Sequence, residues 1–328
     1  MKEIVVVGGL PSPIGGVTTF ISRLVRVDNS VGVLFDLYPS RNKQLPEDYV
    51  GDYIYSKFKF ITLLKLFLFS AVRREINVHF NFSTPRSLIL LKWLPKRRST
   101  WALTLHHGDL GEAAPWMVDV FKKKVDVALP LNLTQERWYS NLNAKKIVCS
   151  SSYLPASKPR CDYELQAEIG NYKARYERIL VCSGYPTKIY NHEKAFQLMS
   201  KRPKDLLICC IYGPGELRNR LKAMAHGQNI VVKDSLSEER FNYLLNASDL
   251  YIRLNSEDSF GIAVADAINF GVRVVATDVC IRYPGAVTVS SEVQISDLNN
   301  IVQRTLDSPI VEVYDGKLPR FEYKKVFK

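Results

Sequence analysis

The chain contains 328 residues, 46% of them hydrophobic, and its 45 Lys and Arg residues exceed its 33 Asp and Glu residues, giving a formal net charge of +12. This length suits two domains with separate cores, and the charge favours polyanionic partners such as nucleic acid, an anionic membrane face or a phosphorylated substrate. We expect no signal peptide before Ile4 and no membrane-spanning helix, because the longest apolar stretch, residues 58–74, is shorter than the roughly 20 residues that cross a bilayer.

The first half of the chain alternates short apolar runs with helical patterns. Such alternation indicates βαβ units and a parallel sheet. Six runs are predicted strands: EIVVVGG, VGVLFDLY, INVHFNF, STWALTLHH, VDVALPL and KKIVCSS.

A glycine-rich loop follows the first predicted strand. Gly8 and Gly9 end that strand, and Gly15 and Gly16 open the next helix, whose N–H groups suit an anion. The spacing matches neither the G-x-G-x-x-G of nicotinamide folds nor a P-loop, although Asp36 ends the second strand where a ribose-binding acid is expected. We therefore expect Gly15 and Gly16 to line the floor of a phosphate site. The alternative is a tight turn that merely needs glycine.

An apolar helix is predicted over residues 60–72, and the segment LLKWLPKRR with Trp93 follows it. Four cations flank the helix: Lys57, Lys59, Arg73 and Arg74. An apolar face with cations and an interfacial aromatic suits a protein that rests on anionic lipid and reaches a lipid-linked acceptor. The alternative is a core helix with a solvated basic edge.

Two adjacent histidines, His106 and His107, lie at the carboxyl end of the strand STWALTLHH, where ligands gather in α/β sheets. No third ligand at a useful spacing accompanies them, so we expect no metal there. Asp109 lies close enough in sequence to orient a histidine or an acceptor hydroxyl.

The strand and helix pattern lapses between Leu154 and Glu177 and then restarts as a second doubly wound segment. We expect a first domain over residues 1–155, a linker over 156–176 and a second domain over 177–308, with the tail 309–328 packing back on the first domain. The six cysteines include no C-x-x-C, so we expect them to be reduced packing residues in a cytosolic protein.

The segment YIRLNSEDSFGIAVADAINFGVRVVATDV is the most informative part of the second half. Asp258 lies in a loop. Asp266 follows it after seven intervening residues, on the helix that Gly261 begins. We expect the amides of residues 259–262 to face an anion between two carboxylates, an arrangement that suits a sugar nucleotide. The alternative is one solvated acid and one exposed helical acid.

This segment resembles the large family-four group of retaining glycosyltransferases with the GT-B fold. The sequence keeps the family's Phe260, Gly261, Ala267 and Gly271, and it has aspartate at both glutamate positions. The resemblance implies two Rossmann-like doubly wound domains that face a cleft. It also implies that Asp258 contacts the donor sugar and that Asp266 holds the nucleotide ribose.

The same resemblance extends to other residues of the second domain. Lys188 is expected on the donor diphosphate, with Tyr185 at a position where the family has arginine. Further donor-binding candidates are Arg253, Asn255, Ser259, Phe260, Gly261, Ile262 and Gly213, with Asp234 beside the nucleotide base and Arg282 as a secondary candidate. From the first domain, His106 is expected to reach the donor sugar, with His107 and Asp109 on the acceptor side.

The resemblance, taken with these features, implies a metal-independent retaining glycosyltransferase without a cofactor. It would move a sugar from a UDP- or GDP-type donor to a glycan or lipid-linked acceptor in surface polysaccharide assembly, with no nucleic acid partner. We expect it in the cytoplasm, on the inner membrane face. Two alternatives stay open: a nucleotide-sugar epimerase or hydrolase on the same fold, and a catalytically silent relative that binds lipid or glycan.

Overall fold

The computed structural model describes residues 3–12, 14–40, 43, 45–149, 153–156, 159, 162–309 and 320–327. The chain divides into two compact units. The first unit comprises Met1–Leu154 and Pro319–Lys328, and the second comprises Pro155–Leu318. The expected linker 156–176 and the expected tail 309–328 are only partly among the described residues.

In the first unit, the described residues form one parallel sheet in the order β3-β2-β1-β4-β5-β6. Its strands are β1 (Ile4–Gly8), β2 (Val31–Asp36), β3 (Asp52–Ile54), β4 (Asn77–Phe82), β5 (Thr100–Leu105) and β6 (Val127–Ala128). The helices are α1 (Gly16–Val27), α2 (Lys59–Val72), α3 (Ile89–Trp93), α4 (Pro115–Lys124) and α5 (Leu133–Asn141). Strand β1 is apolar throughout, whereas β4 alternates apolar residues with Asn77, His79 and Asn81. Both strands are buried along their whole length, as expected where helices cover both faces of a parallel sheet.

The second unit repeats this plan with the strand order β12-β11-β10-β7-β8-β9 among its described residues, again all parallel. Its strands are β7 (Arg178–Gly184), β8 (Asp205–Ile211), β9 (Ile230–Asp234), β10 (Leu250–Arg253), β11 (Arg273–Thr277) and β12 (Val287–Val289). The helices are α6 (Tyr163–Lys173), α7 (His192–Met199), α8 (Arg218–Ala225), α9 (Glu238–Asn246), α10 (Ile262–Asn269) and α11 (Ile295–Asp307). The expected α/β fold class is confirmed.

The stretch that we expected to be a linker contains helix α6. Asp162 caps it by accepting a hydrogen bond from the Leu165 N–H, and Leu165 and Ile169 are buried in the second unit. The sequence pattern does not reveal α6, because the apolar face of this helix is short and lies among polar residues. In the tail, residues 320–327 include α12 (Tyr323–Val326) and pack in the first unit.

Two local expectations about strands differ from the structure. The predicted strand KKIVCSS forms only an isolated bridge, between Ile147 and Ala128, in its described part, and residues 150 and 151 lie outside the described residues. Strand β3 was not predicted, because three residues are too few to establish an alternating pattern. Among the described residues, no helix combines the length and the hydropathy that crossing a bilayer requires.

Candidate functional site

The loop between β10 and α10 holds a buried carboxylate between two arginines. Asp258 Oδ2 accepts from Arg253 Nε at 2.5 Å and from Arg282 Nη1 at 2.7 Å. Asp258 Oδ1 accepts from Arg253 Nη2 and from the Ser259 N–H, both at 3.1 Å. The Asp258 side chain is only 8% exposed. Burial by itself would raise the pKa of Asp258, but Arg253 and Arg282 outweigh it and lower that pKa to about 2.

Asp258 is therefore not the solvated acid of the alternative interpretation, and its expected contact with the donor sugar stays a prediction. A carboxylate offers about four acceptor positions, and the two arginines and the Ser259 amide occupy them all. The reason is that Arg282, distant in sequence, returns to the same loop. Asp258 therefore fixes the two guanidinium groups, and the cluster of three side chains carries a net charge of +1.

Further contacts hold the two arginines in place. Arg282 donates from Nε to the Thr277 carbonyl at 2.6 Å and from Nη2 to Thr277 Oγ1 at 3.2 Å. Thr277 Oγ1 donates in turn to the buried Asn255 carbonyl at 2.7 Å, which joins the ends of β11 and β10. The Arg253 guanidinium lies 5.7 Å from the centre of the Tyr190 ring. The arginines are thus pre-positioned by the fold.

Gly261 begins helix α10 with φ +80°, a left-handed conformation that side chains rarely adopt. A Cβ atom at this position would lie 2.8 Å from Arg282 Nη1 and 3.1 Å from Asp258 Oδ2. Glycine therefore permits both the turn and the approach of the two side chains. The Ile262 and Ala263 amides at the start of α10 lack intrahelical acceptors and can bind an anion, whereas the Val264 N–H donates to the Gly261 carbonyl at 2.9 Å.

The second predicted acid is also buried. Asp266 is only 2% exposed on α10. The alternative of an exposed helical acid is therefore wrong, because this face of α10 packs inward. The expected contact of Asp266 with the nucleotide ribose stays a prediction. Phe260, on the other side of the turn, packs edge-on against Tyr283 with ring centres 6.2 Å apart.

Two loops meet at the carboxyl ends of β7 and β8. Gly213 has φ +60°, and a Cβ atom there would lie 2.4 Å from the Tyr185 ring. A Cβ atom at Gly215 would lie 2.3 Å from the Pro186 carbonyl oxygen. Lys188 lies exposed at the start of a short 3-10 helix, Lys188–Tyr190. The loop after β8, which contains both glycines, thus packs closely on the loop after β7, and Lys188 in that second loop is exposed to solvent.

Asp234 ends β9 in an ion pair with Arg218 and Lys222 of α8. Its carboxylate is 37% exposed, so the pair lies at the surface of the second unit. We expect Asp234 beside a nucleotide base, and the structure adds two cations to that position.

In the first unit, Asp36 organises the glycine-rich loop. Its carboxylate accepts from the Leu10 N–H at 3.1 Å and from the Tyr53 hydroxyl at 3.1 Å, and it pairs with Lys43 Nζ at 2.9 Å. The Asp36 carboxylate is thus engaged in hydrogen bonds and an ion pair within the first unit. Gly15 caps α1 in an extended conformation, and a Cβ atom at Gly16 would meet nothing within 4 Å. Space is therefore open beside the Gly16 backbone.

His106 follows β5 and is held by its neighbours. Its Nε2 lies 3.1 Å from Asn81 Oδ1, and its ring packs 5.4 Å from that of Phe20. Burial lowers the pKa of His106 to about 3, so the imidazole is neutral near pH 7. A neutral ring acts through hydrogen bonds and not through charge.

The two acceptor-side candidates, His107 and Asp109, form hydrogen bonds within one turn that ends at Gly111. His107 Nδ1 lies 2.6 Å from the Asp109 carbonyl oxygen, and Asp109 Oδ1 accepts from the Gly111 N–H at 2.8 Å. The Asp109 carboxylate therefore closes a turn, and its backbone orients His107.

Helix α2 leaves much of its apolar surface uncovered in the first unit. Leu66 is buried, and Leu63 and Phe69 pack against the core, but seven other large apolar side chains of the helix and the residue before it are 40–76% exposed, namely Phe58, Phe60, Ile61, Leu64, Phe67, Leu68 and Val72. A cavity of about 480 Å³ lies beside them, lined by residues that include Tyr38, Lys59, Asn81, Arg86 and Trp93. Trp93 is 70% exposed. Helix α2 is therefore not buried in the first unit as a core helix would be.

One group of side chains that sequence reasoning dismissed is close enough to hold a metal ion. Cys182, His192 and Cys209 are buried in the second unit, and their ligand atoms lie within 4.8 Å of one another. The signal that could have found them is the register of two successive strands, which pairs Cys182 with Cys209.

Residues 172–287 match the family model of the glycosyl transferases group 1. Several solved structures are similar over most of the chain. HepE of Anabaena in complex with UDP and glucose is 9% identical with a TM-score of 0.72, covering 94% of this chain and 90% of that one. A glycosyltransferase from Rickettsia africae is 15% identical with a TM-score of 0.65, covering 93% and 88%.

An α,α-trehalose-phosphate synthase (UDP-forming) from Burkholderia vietnamiensis is 12% identical with a TM-score of 0.62, covering 95% and 91% of the two chains. A comparison with curated proteins finds no match. The fold is therefore the GT-B fold, and the resemblance to the group 1 glycosyltransferases is confirmed for the matched part of the second unit.

Proposed function

We propose that this protein is a retaining glycosyltransferase that moves a sugar from a nucleoside diphosphate sugar to an acceptor hydroxyl. The observation that carries the proposal is the buried Arg253–Asp258–Arg282 cluster beside the glycine turn that begins α10. It lies within the segment that matches the glycosyl transferases group 1 model. HepE, which has the same fold, binds UDP and glucose.

The donor diphosphate would bind in the second unit. Its oxygens would accept from the first-turn amides of α10, from Lys188 and from guanidinium N–H groups that Asp258 leaves unused. These fixed cations would stabilise the charge that develops on the leaving diphosphate. In this proposal they take the place of a catalytic metal ion, and Asp258 acts as a positioning residue for the arginines.

The acceptor would bind in the first unit. In a retaining transfer of the type that the family resemblance implies, an oxygen of the departing phosphate takes the proton of the incoming hydroxyl. The new glycosidic bond forms on the same face as the phosphate bond that breaks. His106 is neutral near pH 7, so we assign it a hydrogen bond to a sugar hydroxyl and not proton abstraction.

The exposed apolar side of α2 supports a lipid-linked acceptor at an anionic membrane surface. Side chains such as Phe60 and Phe67 would enter the lipid, and Lys57 and Arg73 at the two ends of the helix would bind its phosphates. We extend the proposal to surface polysaccharide assembly on the inner membrane face. That extension rests on the family resemblance.

Nucleotide binding and acceptor dependence test this proposal together. We expect UDP or GDP, and the matching sugar nucleotide, to raise the melting temperature in proportion to the logarithm of ligand concentration. Release of nucleoside diphosphate should then require a lipid extract or glycan acceptor. Equal release without acceptor would identify a hydrolase, and an altered sugar on the recovered nucleotide would identify an epimerase. If no nucleoside diphosphate or sugar nucleotide binds at millimolar concentration, the proposal is wrong.

A further inference from the structure

Two cysteines and one histidine meet in the core of the second unit. Cys182 of β7 and Cys209 of β8 are register partners on neighbouring parallel strands, and His192 begins α7 above them. His192 Nδ1 lies 3.8 Å from Cys182 Sγ and 3.6 Å from Cys209 Sγ. The three residues are 4%, 2% and 0% exposed in chain order. Two sulfur atoms and one nitrogen therefore converge in an environment without bulk water.

The hydrogen bond on the other side of the ring fixes the tautomer of His192. Its Nε2 lies 3.1 Å from the Tyr185 carbonyl oxygen. A carbonyl oxygen only accepts, so Nε2 carries the proton and donates it. Nδ1 therefore directs a lone pair toward the two sulfur atoms. Histidines that bind metal ions typically have this outer hydrogen bond, because it orients the ring and raises its basicity.

We propose that Cys182, Cys209 and His192 Nδ1 bind a thiophilic closed-shell cation, Cu⁺ or Zn²⁺. Metal bonds of about 2.3 Å to sulfur and about 2.0–2.1 Å to nitrogen, at tetrahedral or trigonal angles, put sulfur and nitrogen roughly 3.6–3.8 Å apart. The observed separations are 3.8 and 3.6 Å. The side chains thus need little movement to enclose an ion.

Charge and coordination number limit which ion fits. Binding converts both thiols to thiolates and releases two protons to solvent. Among the residues that the structure describes, no other His, Cys, Asp or Glu side chain joins this group. Two sulfur ligands and one nitrogen ligand suit three-coordinate Cu⁺, whereas Zn²⁺ prefers a fourth ligand. The crevice beside Cys182 and His192, lined also by Arg253 and Asn255, is too narrow for a water molecule to supply one.

The bound ion would have a structural effect on the proposed donor site. It would fix the His192 ring, and through Nε2 the Tyr185 carbonyl at the start of the loop that carries Lys188. This consequence rests on the proposed function, but the metal site does not. The proposal replaces our expectation that these cysteines serve only for packing.

The metal content of the full-length protein tests the site without any substrate. Protein purified without chelators is dialysed, its copper and zinc are measured by mass spectrometry, and its thiols are counted after denaturation. A separate metal-free sample is titrated with Cu⁺ against a chromophoric chelator, with Zn²⁺, and with Co²⁺ as a spectroscopic probe. We expect one equivalent of Cu⁺ or Zn²⁺ per chain, a sulfur-to-cobalt charge-transfer band and a higher melting temperature with metal.

Matched cysteine variants assign the ion to its ligands. Cys182→Ser and Cys209→Ser should each abolish retention of the ion and the charge-transfer band. Cys210→Ser is the control, because Cys210 is equally buried on β8 but points to the opposite face of the sheet. Retention of the ion by both ligand variants would overturn the proposal.

The wild-type measurements decide the matter even where a variant fails to fold. Failure of Cu⁺, Zn²⁺ and Co²⁺ all to bind the metal-free protein would overturn the proposal. Four free thiols in metal-free protein, instead of the six that the cysteines provide, together with a disulfide-linked peptide pair that contains Cys182 and Cys209, would identify a Cys182–Cys209 disulfide and overturn the proposal. Neither result bears on nucleotide binding, so the proposed function stands or falls separately.

Discussion

Arg282 donates from Nη1 to Asp258 Oδ2 at 2.7 Å although the two residues are 24 positions apart in the sequence. Both side chains are almost completely buried, at 2% and 8% exposure. This contact connects the loop before α10 with the loop after β11, and with Arg253 it makes a fixed cationic cluster.

Asp258→Asn should destabilise the second unit as well as weaken donor binding. It leaves two buried arginines without their counter-charge, a change that typically costs about 3–5 kcal/mol. Urea unfolding monitored by circular dichroism measures this loss. Glu257→Gln, at an exposed neighbouring position, is the control and should change stability little. Loss of nucleotide binding with unchanged stability would show that Asp258 faces the ligand instead.

Gly261→Ala should be destabilising because of both backbone and packing. The residue has φ +80°, and the new methyl group would lie 2.8 Å from Arg282 Nη1. We expect a loss of about 1–3 kcal/mol. Gly170→Ala, in the interior of α6 with open space around it, is the matched control and should stabilise by about 0.5–1 kcal/mol. Equal effects of the two substitutions would contradict the assigned role of Gly261.

Lys188→Gln should reduce affinity for a nucleoside diphosphate without affecting folding. The side chain is exposed, and a hydrogen bond from a charged group to phosphate is worth about 1.5–3 kcal/mol, or roughly 10–100-fold in Kd. Isothermal titration with UDP and GDP measures the change. Lys201→Gln, just beyond α7, removes an equally exposed positive charge and should bind normally. A Kd that both substitutions alter equally would indicate only a general charge effect.

Stability should decrease as the pH falls below about 6.5. Burial lowers the pKa of both His79 and His106 to about 3, whereas unfolded histidines titrate near 6.5. The unfolded chain then binds more protons than the folded chain at intermediate pH, so acid favours unfolding. We expect a loss of about 1–2 kcal/mol per histidine between pH 7.5 and 5.

Urea unfolding at a series of pH values tests this expectation. His106→Gln removes one of the two titrating groups, so its free energy of unfolding should vary less steeply with pH than that of the wild type. A slope identical to the wild type would show that His106 is not desolvated in the folded protein.

Replacing Phe60 and Phe67 by Ser should weaken binding to anionic vesicles. Each exposed phenyl ring that enters lipid contributes about 1.5–3 kcal/mol, so partitioning should fall by more than tenfold. Co-sedimentation with phosphatidylglycerol vesicles measures partitioning. Tyr163→Ser, which removes an 82% exposed aromatic residue from the second unit, is the control and should not change binding. If added salt does not weaken vesicle binding by the wild type, the lysine and arginine side chains beside α2 do not contribute to that binding.

The sequence was sufficient for the architecture and for locating the informative segment. Buried parallel strands are largely apolar, so β1, β2, β7, β8 and β11 stand out as runs rich in Val, Ile and Leu. Strand β4 instead alternates apolar residues with Asn77, His79 and Asn81. The turn before α10 stands out because it requires glycine at a fixed distance from a strand. Short or weakly amphipathic elements such as β3 and α6 carry too few periodic positions to be found this way.

The direction of each functional side chain was decided only by the tertiary structure. Spacing put Asp258 and Asp266 near one helix end, but it could not show that one is surrounded by two arginines and that both are buried. Nor could spacing alone bring Cys182, His192 and Cys209 together, because that convergence depends on strand register and on where α7 begins. Periodicity depends on neighbours along the chain, whereas burial, charge pairing and ligand geometry depend on residues that only packing makes adjacent.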